Sequence, residues 1–170
     1  MPFGNGTMTR FETLLAALRG NDVSFVIIGG VAATLHGSAR LTNDLDVVYE
    51  RTSLNYERLA KALAPFKPYL RGAPQGLPFR FNPETIKRGL NFTLRTEVGD
   101  VDLLGELTGV GSFREVLRQS LEVVLFGATY RFINLDALIR SKRAAGRAKD
   151  LEVIAELEAI QEEKSGGKRE

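Results

Sequence analysis

Hydrophobic positions along the chain follow two spacings in turn, one typical of helices and one typical of strands. Apolar side chains three or four positions apart predict helices at residues 9–19, 53–64, 113–120, 135–145 and 150–163, and a short helix is expected at 31–35. Short runs of β-branched and aromatic residues predict strands at residues 24–28, 44–49, 91–96, 101–104, 121–126 and 129–133. This mixture predicts an α/β protein of the α+β type, in which a small mixed β-sheet is backed by helices and the chain ends in C-terminal helices.

The domain organisation follows from the length and from one change of composition. With 170 residues, 44% of them hydrophobic, the chain is long enough for one core and short for two. We therefore expect a single domain over residues 1–164 and a disordered tail over residues 165–170. Residues 65–83 contain five of the six prolines and predict an irregular excursion, and segments of this length are often lids or binding loops.

The composition limits the chemistry that the chain can perform. It has no cysteine and one histidine, His36, which excludes disulfides, iron–sulfur clusters, thiolate zinc sites and histidine-rich metal sites. A bound metal would be held mainly by carboxylates and water, which favours Mg²⁺ or Mn²⁺. The net charge of +2 permits a nucleic-acid partner without requiring one. Because the sequence lacks a signal peptide and a membrane-spanning apolar run, we expect a cytoplasmic protein with no membrane partner.

The candidate chemistry lies in two predicted strands and the glycine turn before them. Gly29-Gly30 ends one apolar run, and Asp44 and Asp46 share a face of the next strand because they are two residues apart. Asp102, in a third apolar run, is the natural third carboxylate, whereas Asp100 borders a turn and ranks lower. Carboxylates side by side on neighbouring strands suit divalent metal ions, although such pairs also occur on solvated edge strands.

These motifs resemble a known family. The pattern of Gly-Gly, a spacer and Asp-x-Asp resembles the nucleotidyltransferase fold related to DNA polymerase β. The segments GGVAATLHGSARLTNDLDVV and LIRSKRAAGRAKD resemble, more narrowly, the AbiEii-like nucleotidyltransferases, many of which are toxins of toxin–antitoxin pairs. The resemblance implies that the amides of Gly29 and Gly30 approach a nucleoside triphosphate. It also implies that Asp44 and Asp46 bind Mg²⁺, and that Asp102 assists the incoming hydroxyl as a metal ligand or general base.

Three residues between the glycines and the aspartates have two interpretations each. Arg40 would either clamp a phosphate or form a surface ion pair. Ser38 would either edge the phosphate pocket or stabilise a turn, and we favour the turn. His36 is interpreted as a structural residue that packs or caps behind Gly37.

The predicted helix at residues 135–145 carries a lysine on its apolar face. Lys142 lies seven positions after Leu135, which is helical spacing, so it either snorkels from the core edge or reaches phosphate in a cleft; we favour the cleft. Asp150 aligns with the apolar face of the last helix, although capping is its simpler role. Arg143, Arg147 and Lys149 are expected to face solvent.

Together these features predict a Mg²⁺- or Mn²⁺-dependent nucleotidyltransferase. It would move a nucleoside monophosphate from a nucleoside triphosphate to a hydroxyl of RNA, such as transfer RNA, or of protein. The resemblance to toxin-type members implies an antitoxin as a partner. The alternative is a nucleotide-binding, antitoxin-type or regulatory module of the same fold with little catalysis. A third, blander alternative is an interaction protein whose three aspartates do not cluster in space.

Overall fold

The structure, a computed structural model, describes residues 8–167. Seven α-helices span Phe11–Gly20 (α1), Gly29–His36 (α2), Ser53–Leu63 (α3), Pro83–Arg88 (α4), Phe113–Arg118 (α5), Leu135–Ala145 (α6) and Leu151–Gly167 (α7). Nine strands span Phe25–Ile28 (β1), Asp44–Tyr49 (β2), Tyr69–Leu70 (β3), Phe92–Thr96 (β4), Gly99–Leu104 (β5), Glu106–Leu107 (β6), Gly111–Ser112 (β7), Ser120–Leu125 (β8) and Ala128–Ile133 (β9). Short 3₁₀ turns at Ala64–Phe66 and Ala148–Asp150 complete the regular structure.

Seven of these strands form one mixed sheet, which confirms the predicted α/β class. Their order is β3-β4-β5-β2-β1-β9-β8, and β6 and β7 form a separate small hairpin. The pairs β2–β5 and β1–β9 are parallel, whereas the other neighbours are antiparallel. None of the helices between residues 8 and 167 combines the length and the apolar character needed to cross a membrane.

The central strands present two chemically different faces. On one face, the side chains of Leu45, Val47, Val101 and Leu103 are fully buried. The residues between them point to the other face, because side chains alternate along a strand. The core therefore lies behind the strands that carry the candidate carboxylates and holds these strands in place.

Local features explain where the two helices beside the candidate site, α6 and α2, begin. The side chain of Asn134 accepts a hydrogen bond from the Ala137 amide and caps α6, as expected of asparagine at this position. α2 begins at Gly29, whose φ of +64° is the left-handed region that favours glycine. Within residues 8–167 no side chain caps α2, so its first amides have no capping partner.

The structure corrects two details of the sequence interpretation. Residues 65–83, predicted to be an irregular excursion, contain a short strand, because β3 adds to the edge of the sheet beside β4. The last helix continues through Gly167, so residues 165–167, predicted as tail, are helical, and residues 168–170 lie outside the described residues. Good helix-forming residues precede Gly166 and Gly167. Because extending a helix is easier than starting one, α7 continues through these glycines.

Candidate active site

Two neighbouring parallel strands bring the three predicted carboxylates together. In the register of β2 and β5, Asp44 lies beside Asp100 and Asp46 lies beside Asp102. One carboxylate oxygen from each of Asp44, Asp46 and Asp102 lies within 4.8 Å of the other two. This clustering contradicts the alternative in which the three aspartates are scattered over the surface.

Burial and neighbouring negative charges make ionisation of Asp44 and Asp46 unfavourable. Burial, followed by the charges of Asp44 and Asp102, raises the pKa of Asp46 to about 8. Burial also raises the pKa of Asp44, and the Asp102 charge adds to that effect, whereas the charge of Arg71 opposes it. The site would therefore be stabilised by an additional positive charge.

The donor set fits a hard divalent cation. The Oδ1 atom of Asp46 is buried and, within the described range of the chain, has no hydrogen-bond partner. A side-chain carbon at residue 29 would overlap the Asp46 carboxylate, so glycine leaves room for it at the start of α2. Carboxylate oxygens are the ligands that Mg²⁺ and Mn²⁺ favour, and Asp44, Asp46 and Asp102 would supply them.

An arginine that the sequence did not single out lies among these carboxylates. Arg71 follows β3 directly and donates from Nη2 to Asp102 Oδ1 at 2.8 Å. Its Nε lies 3.3 Å from Asp100 Oδ2, and its Nη1 lies 3.8 Å from Asp44 Oδ2. A two-residue strand among prolines is too short for alternation to reveal, so the sequence carried only the weak signal of Tyr69-Leu70 before this arginine.

The C-terminal helices contribute a second charged group to the same cleft. Lys142 on α6 is largely buried, and its Nζ lies 3.6 Å from Oδ1 of the buried Asp150. Arg147, predicted to face solvent, also binds Asp150, with Nε 2.7 Å from Oδ2, and lines the cleft. Burial favours a higher pKa for Asp150, but the hydrogen bond from Arg147 and the charges of Lys142 and Arg147 outweigh it and lower the pKa.

The remaining predicted residues are held by contacts within the protein. The Ser38 Oγ accepts a hydrogen bond from the Arg40 amide at 3.2 Å, which is a local turn contact, and donates to Glu156 at 2.6 Å. The Arg40 Nη2 lies 3.3 Å from Glu152 Oε2, which is an ion pair. His36 is buried, with Nε2 2.8 Å from the Ile133 carbonyl oxygen, in agreement with a structural role. Ser38 and Arg40 nevertheless line the rim of the cleft.

Two cavities meet at the carboxylates. Both are lined by Gly29, Asp46, Asp102, Lys142 and Arg147. One, of about 390 Å³, extends towards polar and charged residues that include Gly30, Ser38, Arg40 and Lys149. The other, of about 420 Å³, extends between the sheet, the β6–β7 hairpin and α6, and its lining includes Leu104, Leu107, Thr108 and Leu138. Both volumes are typical of small-ligand sites.

Comparison with known proteins identifies the fold. No protein-family model and no curated protein matches the sequence. A Thermotoga maritima protein assigned as a nucleotidyltransferase superposes with a TM-score of 0.53 at 14% identity, over 90% of this chain and 96% of that chain. ANT(2″)-Ia, an aminoglycoside nucleotidyltransferase in complex with adenylyl-2″-tobramycin, gives a TM-score of 0.50 at 14% identity, over 91% and 96%. The chain therefore has the nucleotidyltransferase fold.

Proposed function

We propose that the chain is a nucleotidyltransferase that moves a nucleoside monophosphate from a nucleoside triphosphate to an acceptor hydroxyl. The observation that carries the proposal is the cluster of Asp44, Asp46 and Asp102 beside the uncapped start of α2. Asp46 and Asp102 line both cavities, and Asp44 lines the more polar one. A transfer reaction needs room for a donor and an acceptor on two sides of one reactive centre. A phosphate-binding helix start next to carboxylates suits the donor.

Each group of residues has a role in this reaction. The amides of Gly29 and Gly30 bind triphosphate oxygens, and Lys142 supplies positive charge from α6. Asp44, Asp46 and Asp102 hold Mg²⁺ or Mn²⁺, which when bound offsets phosphate charge and favours ionisation of the acceptor hydroxyl. Asp102 also orients the acceptor or accepts its proton. The acceptor oxygen bonds to the α-phosphorus, the bond to the bridging oxygen breaks, and pyrophosphate leaves.

The acceptor is proposed to be a hydroxyl of RNA, such as transfer RNA, or of a protein. The adenylylated tobramycin in ANT(2″)-Ia supports the idea that this fold adds a nucleotide to an acceptor other than a growing nucleic-acid chain. The resemblance of residues 29–48 and 138–150 to AbiEii-like proteins further supports a toxin with an antitoxin partner. Growth arrest on expression of the chain, absent with Asp46→Asn, would support the toxin role, and normal growth with a transfer-active chain would contradict it.

The transferase proposal is tested with nucleoside triphosphates that carry a label on the transferred phosphate. The purified chain is incubated with each nucleoside triphosphate labelled at the α-phosphate, Mg²⁺ or Mn²⁺, and either cellular RNA or cellular protein. We expect one acceptor fraction to become labelled, and Asp46→Asn to reduce the labelling by roughly 10³-fold or more. Asp136→Asn is the matched control, because Asp136 is exposed on α6 and pairs with Arg140 away from the carboxylates. Equal labelling by the chain and Asp46→Asn would contradict the proposed site.

A second candidate is a nucleotide-binding or regulatory module without catalysis. The ion pairs of Arg71 with Asp44, Asp100 and Asp102 favour it, because a resident guanidinium would stabilise the carboxylates without any metal. Calorimetric titration of nucleoside triphosphates into the chain in the presence of EDTA separates the two candidates. Tight binding without a divalent ion, together with no label transfer in its presence, would support the module over the enzyme.

A further inference from the structure

Arg71 reaches the carboxylates because the sheet directs it there. Its amide donates to the Thr93 carbonyl oxygen at 2.9 Å, which extends the β3–β4 ladder by one residue. Thr93 pairs with Asp102, and Asp102 pairs with Asp46. Arg71 therefore stands in the same row of the sheet as two of the proposed metal ligands, and its side chain lies over their face.

The guanidinium only partly satisfies the carboxylates around it. Its one short carboxylate contact is with Asp102, whereas Asp44 is 3.8 Å away. Its buried Nε has no hydrogen bond within residues 8–167, and Asp46 Oδ1 is left without a partner there as well. The Arg71 guanidinium thus pairs with three carboxylates, with a geometry poorer than that of a bidentate arginine pair.

Arg71 also has partners outside the proposed metal ligands. Its Nη2 donates to the Leu94 carbonyl oxygen at 2.9 Å, and its Nε faces Asp100 at 3.3 Å. Asp100 belongs to the carboxylate row but is not one of the three clustered ligands. Residues 72–82, which follow Arg71, contain no helix or strand in the structure. The side chain can therefore leave Asp44 and Asp102 while keeping contacts at the edge of the sheet.

We infer that Arg71 is a positioning residue that holds the carboxylates together before the divalent ion binds and is exchanged for that ion. Asp102 and Asp44 release the guanidinium when the ion binds, and Asp100 retains it. The inference rests on the proposed metal site. Removing a metal ligand or a scaffold residue would weaken binding of the ion. Removing Arg71 should strengthen it, because the carboxylates are then free for the ion.

Titration with Mn²⁺, followed by electron paramagnetic resonance of the free ion, tests the exchange. In Arg71→Gln, we expect the Mn²⁺ dissociation constant to fall roughly tenfold, because no cation competes for the same oxygens. Without metal, Arg71→Gln should have a lower melting temperature than the unaltered chain. Saturating Mn²⁺ should reduce this difference in melting temperature. In Arg71→Lys, which retains the charge, Mn²⁺ should bind less tightly than in Arg71→Gln.

Arg95→Gln is the matched control for a nearby change of charge. Arg95 also pairs with Asp100, at 3.4 Å, but its side chain is 68% exposed, compared with 22% for Arg71. We expect Arg95→Gln to change the Mn²⁺ dissociation constant by less than about twofold. An equal gain in affinity in both variants would attribute the effect to general charge and would overturn the exchange.

Different results of the Mn²⁺ titration would contradict the exchange alone or the exchange together with the proposed function. If Mn²⁺ binds to the unaltered chain and Asp46→Asn abolishes that binding, the metal site stands. Weaker or unchanged binding in Arg71→Gln would then overturn the exchange alone. If neither chain has an Mn²⁺ site that depends on Asp46, both the exchange and the metal-dependent function are wrong.

Discussion

Asp46 and Asp150 line the same cavity, one from the sheet and one from the C-terminal helices, but their surroundings are opposite in charge. Asp150 binds Arg147 and Lys142, and its pKa is lowered. Asp46 lies among carboxylates with one oxygen unpartnered within the described residues, and its pKa is raised to about 8. The protein therefore supplies a positive counter-charge to Asp150 but not a matching one to Asp46.

This difference separates a residue that stabilises the fold from one that destabilises it in the absence of a ligand. Removing a paired buried charge leaves its partners uncompensated, whereas removing a charge from a repulsive cluster relieves the cluster. Functional sites commonly retain such unfavourable arrangements because the ligand makes them favourable. The same change from aspartate to asparagine should therefore have opposite effects at the two positions.

The largest expected difference is in the response to a divalent ion. At about 100 times its dissociation constant, Mn²⁺ should raise the free energy of unfolding of the unaltered chain by about 2.7 kcal/mol. Asp46→Asn should lose this gain, because it removes a proposed ligand, whereas Asp136→Asn should keep it. Thermal unfolding with Mn²⁺ and with EDTA measures the response, and equal gains in all three chains would mean that the ion binds elsewhere.

The next effect is the loss of stability in Asp150→Asn. We expect the free energy of unfolding to fall by about 2 kcal/mol, because Lys142 and Arg147 lose their shared counter-charge. The loss is smaller than for a fully buried ion pair because Arg147 is half-exposed. Urea unfolding in EDTA provides the measurement, and an unchanged free energy would show that Asp150 does not join α6 to α7.

Asp46→Asn should instead stabilise the metal-free chain, and most strongly above pH 8. The pKa of Asp46 is about 8 in the folded chain and 3.8 ordinarily, so the folded state binds the proton more tightly. Aspartate at this position therefore costs no stability below about pH 4, and the cost grows as the pH rises towards 8. Burial lowers the pKa of His36, which has the reverse pH dependence, but His36 is common to both chains and cancels in the difference. Urea unfolding in EDTA across this range measures that difference, and a constant difference would contradict the raised pKa.

The smallest effect is expected at the rim of the cleft. Arg40→Gln should change the free energy of unfolding by less than about 0.5 kcal/mol, because its partners Glu152 and Glu156 form exposed ion pairs. Calorimetry should give a nucleoside triphosphate affinity within about threefold of the unaltered chain. A tenfold or greater loss would return Arg40 to the phosphate-binding residues.

Alternation and spacing were sufficient to predict the carboxylate face. Residues two apart on a strand must share a face, so Asp44 and Asp46 could be grouped without a structure. The hairpin of β4 and β5 also follows from local pattern. The pairing of β2 with β5 is a parallel contact between distant segments, and sequence spacing suggested Asp102 without fixing its register.

The residues that the sequence did not reveal lie where periodicity is absent. Arg71 follows a two-residue strand in a proline-rich segment, and Arg147 follows the glycine that ends α6. The strands predicted at residues 121–126 and 129–133 leave Gly127-Ala128 as the turn. In the structure Leu125 pairs with Ala128, and the turn is Phe126-Gly127, both at positive φ as in a type I′ turn. In each case, tertiary pairing determines a position that local chemistry leaves open.

The central claim is that Asp44, Asp46 and Asp102 bind a divalent ion. Anomalous diffraction from crystals grown with Mn²⁺ tests this claim most directly. We predict an anomalous peak in contact with all three carboxylates, with the Arg71 guanidinium withdrawn from Asp102. No peak at the three carboxylates, with Arg71 still donating to Asp102, would contradict this claim.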